Sequence, residues 1–143
     1  MEFVSFELAK KLKEKGFSCK YPLAMYNERG WFCPLYTSAD RNPNIKSVFG
    51  NREYYDYDDF DEKDFISPTI EQVLSWLRKE KQTHFEIVSC ACGYEIIISR
   101  TPTLGTDLYC SHASYDGPNA GGAWDCYEEA AVAGIEYTLD HLL

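Results

Sequence analysis

Two short cysteine motifs hold the metal chemistry that can be read from this chain. In Cys90-x-Cys92 an extended backbone would turn both thiols to one face, because side chains alternate along a strand. Cys110-x-His112 offers a second pair of soft ligands. Tetrahedral zinc takes thiolate and imidazole, so Cys90, Cys92, Cys110 and His112 are the candidate metal ligands. Their spacing is not that of two Cys-x₂₋₄-Cys knuckles, and no bound metal or cofactor is expected.

A second group is acidic. Asp56, Asp58, Asp59, Asp61, Glu62 and Asp64 supply carboxylates of the kind that hold Ca²⁺. The run lacks the glycine and distal glutamate of an EF-hand loop, so it reads as a solvated acidic segment. His84, His112 and His141 could each pair with a thiol as base and nucleophile, but none sits in a local catalytic signature. The glycine-rich stretch 117–122 has no lysine, and the helix after it opens on Asp125, whose carboxylate repels phosphate. These patterns lean away from an enzyme.

The positioning elements are clearer. The most legible begins at Ser67-Pro68-Thr69. Thr69 can cap a helix with Gln72 completing a capping box, or Ser67 can cap it with Pro68 at the first helical position. Ile70, Val73, Leu74 and Leu77 then share one face, flanked by Trp76, with Glu71, Gln72, Ser75, Arg78 and Lys79 opposite. Burying each of the four aliphatic side chains is worth roughly 1.5–3 kcal/mol before ordering entropy.

An earlier helix runs from Ser5 to Lys15, with Leu8, Ala9 and Leu12 as its apolar stripe. Gly16 ends it, and Phe17 folds back on Leu12. Lys10, Lys11, Lys13 and Lys15 read as a solvated face. The segments 23–26 and 31–36 form a hairpin around Asn27 to Gly30, with Pro34 confining the second strand to an edge. Residues 37–66 are irregular.

Strands at 84–90 and 94–99 form a second hairpin through Cys92-Gly93, and Ile96-Ile97-Ile98 suggests burial on both faces. A short strand is expected near Leu108 to Cys110, and 117–122 as a flexible connector. The last helix starts at Asp125 with Glu128 as its box partner. Tyr127, Ala131, Gly134, Ile135, Thr138 and Leu142 lie on one face, and its small residues permit a close approach to a neighbour.

The expected fold is therefore α+β, a single domain over 1–143. An antiparallel sheet of three to five strands is covered by helices in the order α-ββ-α-ββ-α.

Composition narrows the function. The chain has 143 residues, long enough to bury a core without staples. A formal charge of −9 argues against a non-specific nucleic-acid binder, which needs a basic footprint. No apolar run is long enough to span a membrane. The opening residues Met1 to Ser5 have neither the basic flank nor the apolar segment of a secretory signal, so a cytoplasmic location and six reduced, mostly buried cysteines are expected.

Three segments carry a resemblance. They are Ser5 to Phe17 (SFELAKKLKEKGF), Pro68 to Glu80 (PTIEQVLSWLRKE), and Tyr127-Glu128-Glu129-Ala130 opening the last helix. As an ordered set they resemble a family of small uncharacterised proteins encoded by phages, prophages and mobile elements of Bacteroidetes. The chain departs from it in its longer middle, 37–66, and in its cysteine- and glycine-rich stretch before the last helix. The resemblance implies a mobile-element context and brings no catalytic residue with it.

The function expected is a protein-binding accessory module with an unknown protein partner. Its interaction residues are the aromatic and acidic set Trp31, Tyr54, Tyr55, Asp56, Tyr57, Asp58, Asp59 and Asp61, since aromatics are enriched at interfaces. The alternative is an acidic DNA mimic that inhibits a host nucleic-acid-binding protein; a third reading is an enzyme whose pocket the sequence hides. Oligomeric state is not specified by these patterns.

Overall fold

The computed structural model describes residues 2–19, 22–35, 62–100, 107–110 and 116–143. The fold is α+β, with antiparallel strands and, among the described residues, three α-helices. Each predicted hairpin takes up a third short strand, so among the described residues the strands form two sheets of three instead of one sheet. The chain divides into two compact units, one of Phe3–Thr69 and one of Ile70–Leu143 with Glu2.

In the first unit, helix α1 (Phe6–Glu14) begins where Ser5 Oγ accepts from the Leu8 amide at 3.2 Å. It ends as its sequence dictates. Gly16 takes the left-handed conformation (φ +81°), Phe17 N–H donates to Leu12 O at 2.9 Å, and Gly16 N–H donates to Lys13 O at 3.1 Å. Leu8, Ala9 and Leu12 are buried.

Strands β1 (Ala24–Tyr26) and β2 (Phe32–Pro34) form the predicted hairpin, and β3 (Phe65–Ile66) joins the other side of β1. β2 is an edge strand that ends at Pro34, consistent with a residue that cannot donate to a ladder. Tyr26 lies between Phe32 and Phe65 in register. Phe6 of α1 stacks edge-on against Tyr26 and Phe65, both at 5.4 Å. Aromatic pairs at such spacings add to simple area burial.

In the second unit, helix α2 (Ile70–Glu80) buries Ile70, Val73, Trp76 and Leu77. Trp76, expected only to flank the core face, is buried, whereas Leu74, expected on it, is half-buried. Ser67 does not cap this helix, since its hydroxyl is buried with no hydrogen-bond partner. The Ile70 amide is met instead by Glu2 O at 2.9 Å.

Strands β4 (Thr83–Cys90), β5 (Gly93–Arg100) and β6 (Asp107–Cys110) follow in spatial order β4-β5-β6. Ile96 and Ile98 are buried while Ile97 is half-buried, so β5 alternates instead of burying both faces. This is the pattern of an antiparallel sheet covered on one side.

Helix α3 (Tyr127–Tyr137) continues into a wider last turn, Thr138–Leu142. The predicted Asp125–Glu128 box does not form. Cys126 is the cap residue without a side-chain bond, and Asp125 Oδ1 accepts from Asn119 Nδ2 at 2.7 Å. The close approach predicted from small residues is present at Gly134. A Cβ there would meet Phe85 at 2.9 Å and Ile96 at 3.2 Å.

The stretch 117–122, expected to be a flexible connector, is a tied loop. Gly117 N–H donates to Gly122 O, Gly122 N–H to Asn119 O and Asn119 N–H to Ala123 O, while Asn119 Nδ2 also reaches Cys92 O at 2.8 Å. Its glycines serve positive φ at Gly121 and Gly122. Among the described residues, no helix is long and apolar enough to cross a membrane.

Candidate functional site

Trp31 is the outstanding candidate among the described interaction residues. A large aromatic side chain in a monomer is normally covered, yet Trp31 is 65% exposed. The turn beneath it is fixed. Asn27 Oδ1 accepts from the Arg29 amide at 2.9 Å and from the Trp31 amide at 3.0 Å. Asn27 N–H donates to Trp31 O at 3.0 Å, and Gly30 N–H to Asn27 O at 2.9 Å.

Gly30 has φ +85°, and a Cβ on it would meet the Phe6 ring at 3.0 Å. Glycine thus lets the turn rest directly on α1. Lys10 Nζ lies 4.6 Å from the centroid of the same Phe6 ring and 2.9 Å from Glu7. Arg29 is exposed on the turn itself. Glu28, also exposed, stands beside it, so the result is an exposed indole on a hydrogen-bonded turn with charges of both signs nearby.

The other predicted interaction residues, Tyr54, Tyr55, Asp56, Tyr57, Asp58, Asp59 and Asp61, lie outside the described residues. Asp64, from the end of the acidic run, is buried. Its neighbourhood is structural: Lys13 Nζ donates to Asp64 O at 2.9 Å and to Glu62 O, and sits 4.7 Å from the Phe65 ring centroid. Lys13 is therefore a strut between α1 and β3 and not part of a free basic face. Beside it lies a mainly apolar recess of about 170 Å³, lined by Ala9, Lys13, Phe17, Asp64 and Ile66.

The candidate zinc ligands do not keep the geometry their spacing suggested. Cys90 closes β4 opposite Gly93, so Cys92 falls in the turn and not on the strand with Cys90. Cys110 pairs with Ile97, four residues along β5 from Gly93, a separation of about 13 Å. His112 lies outside the described residues. Among the described residues, no group of three or more His, Cys, Asp or Glu side chains is placed to hold a metal. Cys19, Cys33, Cys90, Cys92 and Cys126 are free thiols, but of these only Cys33 is buried, against the expectation of mostly buried cysteines. Burial, and then the charge of Asp64, pushes the Cys33 thiol above its ordinary value.

A polar recess in the second unit was not foreseen. It encloses about 150 Å³ and is lined by Glu71, Leu74 and Arg78 of α2, Thr83, His84 and Phe85 of β4, and Tyr127 at the start of α3. Burial, then the charges of Glu71 and Glu128, raises the Tyr127 phenol above its ordinary value. The signal was present in the sequence as spacing: Glu71, Leu74 and Arg78 follow i, i+3, i+7 and share a face of α2. Glu71 and Arg78 read as solvated charges because the strand and helix that wall the recess come from distant sequence.

No family model, curated protein or solved structure matches this chain.

Proposed function

We propose that the chain is a protein-binding accessory module of the mobile-element type, and that it docks through Trp31. The observation that supports this is the 65% exposure of an indole on a turn fixed by four hydrogen bonds involving Asn27. A tryptophan is a frequent hot-spot residue, and a preorganised one loses little freedom on binding. The turn carries Glu28 beside Arg29, and Lys10 is paired with Glu7, so the expected partner offers an apolar pocket with a rim of mixed polarity. The mobile-element part of the reading rests on the three resembling segments, Ser5 to Phe17, Pro68 to Glu80 and Tyr127 to Ala130.

The test is a pull-down from native-host extract with the wild-type chain and the Trp31→Ala variant as parallel baits, followed by a measured affinity for any protein enriched by the wild type. Truncating a hot spot costs about 2 kcal/mol or more, so Trp31→Ala should weaken the purified pair about 30-fold. A partner that binds both baits equally, or the absence of any enriched protein, counts against the reading.

A further inference from the structure

We propose that the recess between α2, β4 and the start of α3 binds a free amino acid with an aliphatic side chain, Glu71 meeting its ammonium and Arg78 its carboxylate. The site lies in the second unit and is independent of docking through Trp31.

The argument begins with charge. Glu71 and Arg78 are seven residues apart on α2, about 10.5 Å along the axis and nearly on the same face. Both line the recess, and among the described residues neither side chain has an ion pair or hydrogen bond. Their long side chains can fold toward each other over Leu74, which lies between them. A purely anionic ligand would place its charge beside Glu71, and a purely cationic one beside Arg78. A zwitterion satisfies both ends at once.

Size and lining narrow the class further. Leu74 and Phe85 supply the apolar part of a lining that is otherwise polar, room for one small apolar group. A volume of about 150 Å³ equals that of a cavity that takes benzene, and is below the roughly 300 Å³ at which pockets for drug-sized ligands begin. A nucleotide is too large, and its phosphates would meet the Glu71 carboxylate. A compact apolar side chain with one ammonium and one carboxylate fits the room, the apolar part of the lining and both charges. Tyr127 adds a phenol to the lining, and a phenol is a hydrogen-bond donor at neutral pH.

The experiment is an NMR titration of the whole chain with L-leucine, 4-methylvalerate (no ammonium) and 3-methylbutylamine (no carboxylate), read at the Tyr127 ring and the amides of Thr83, His84 and Phe85. Leucine should give saturable shifts, with each analogue binding at least about tenfold more weakly. Glu71→Gln should weaken leucine about tenfold and leave 4-methylvalerate no worse, while Arg78→Gln should do the same with 3-methylbutylamine as the spared ligand. Both positions are exposed, so the variants should fold. Absence of saturable leucine shifts up to about 50 mM, equal binding of the three probes, or unchanged leucine affinity in both variants overturns the proposal.

Discussion

The backbone carbonyl of Trp124 occupies the place that a side chain on Gly93 would take. Tyr94, the next residue, pairs with Trp124 through backbone hydrogen bonds of 2.8 and 2.9 Å. The segment before α3 is thereby fastened to the turn of the β4–β5 hairpin. Gly93 also has φ +129°, outside the range of ordinary side chains.

Gly93→Ala therefore meets two costs, a strained backbone and a collision with the Trp124 carbonyl. The expected loss is about 3 kcal/mol or more, read as a shift in the urea midpoint with unchanged slope. Gly16→Ala is the control. Gly16 is also left-handed at φ +81°, but nothing lies within 4 Å of its missing Cβ. That variant should lose only about 1–2 kcal/mol, the conformational part alone.

Gly134→Ala opposes two effects of different size. Alanine in a helix interior gains about 1 kcal/mol over glycine. The added methyl, however, would sit 2.9 Å from Phe85 and 3.2 Å from Ile96 at the place where α3 touches the sheet. Overpacking of this kind costs about 1–3 kcal/mol, so the variant should be neutral to about 2 kcal/mol less stable. A clear rise in melting temperature would show that the helix can move away from the sheet at no cost.

Asn27→Ala removes the acceptor for two turn amides. Each neutral hydrogen bond of this type contributes about 1 kcal/mol at most when exposed. The expected loss of global stability is accordingly about 1 kcal/mol. The larger effect falls on Trp31, whose fluorescence anisotropy should drop as the turn loosens. Because Trp76 and Trp124 also fluoresce, the comparison is made in a Trp76→Phe, Trp124→Phe background, with wild-type Asn27 alongside.

Local rules explain why some of this architecture was legible in advance. The Ser5 cap, the Gly16–Phe17 ending and the Pro34 edge each depend on residues a few positions apart, and all three formed. Long-range competition explains the departures. Asp125 could have capped α3, but Asn119 brought an amide within reach and claimed its carboxylate. Leu74 matched the apolar stripe of α2, but it lies at the edge of that stripe beside Glu71 and Arg78, where β4 and the start of α3 leave a recess instead of a packed core. Cys90 and Cys92 shared a strand only if the turn came later, and the pairing of Cys90 with Gly93 placed it between them. Trp31 was recognisable by type, whereas its exposure depends on a fold that leaves the hairpin turn uncovered.

Stability should fall at alkaline pH, and the thiol of Cys33 gives the direction. Burial, then Asp64, raises its folded-state pKa above the ordinary 9.0, so the native state holds a proton that the unfolded chain releases. Below that ordinary value both states are protonated and the contribution is intact. As pH rises past it, the unfolded state binds fewer protons and stability falls until the native thiol also ionises. Tyr127 acts in the same sense from its ordinary value of 10.0, its phenol raised by burial and then by Glu71 and Glu128. Urea unfolding from about pH 7 to about pH 11 should show wild type losing more stability than Cys33→Ala or Tyr127→Phe above these values. The same burial governs reactivity. Cys92 is exposed and Cys33 is only 7% exposed, so at about pH 8 a thiol reagent should label Cys92 first and reach Cys33 slowly unless urea is added. Equal labelling rates in the native protein would mean that the β1–β2 hairpin opens far more readily than the packing of Met25, Cys33 and Leu35 implies.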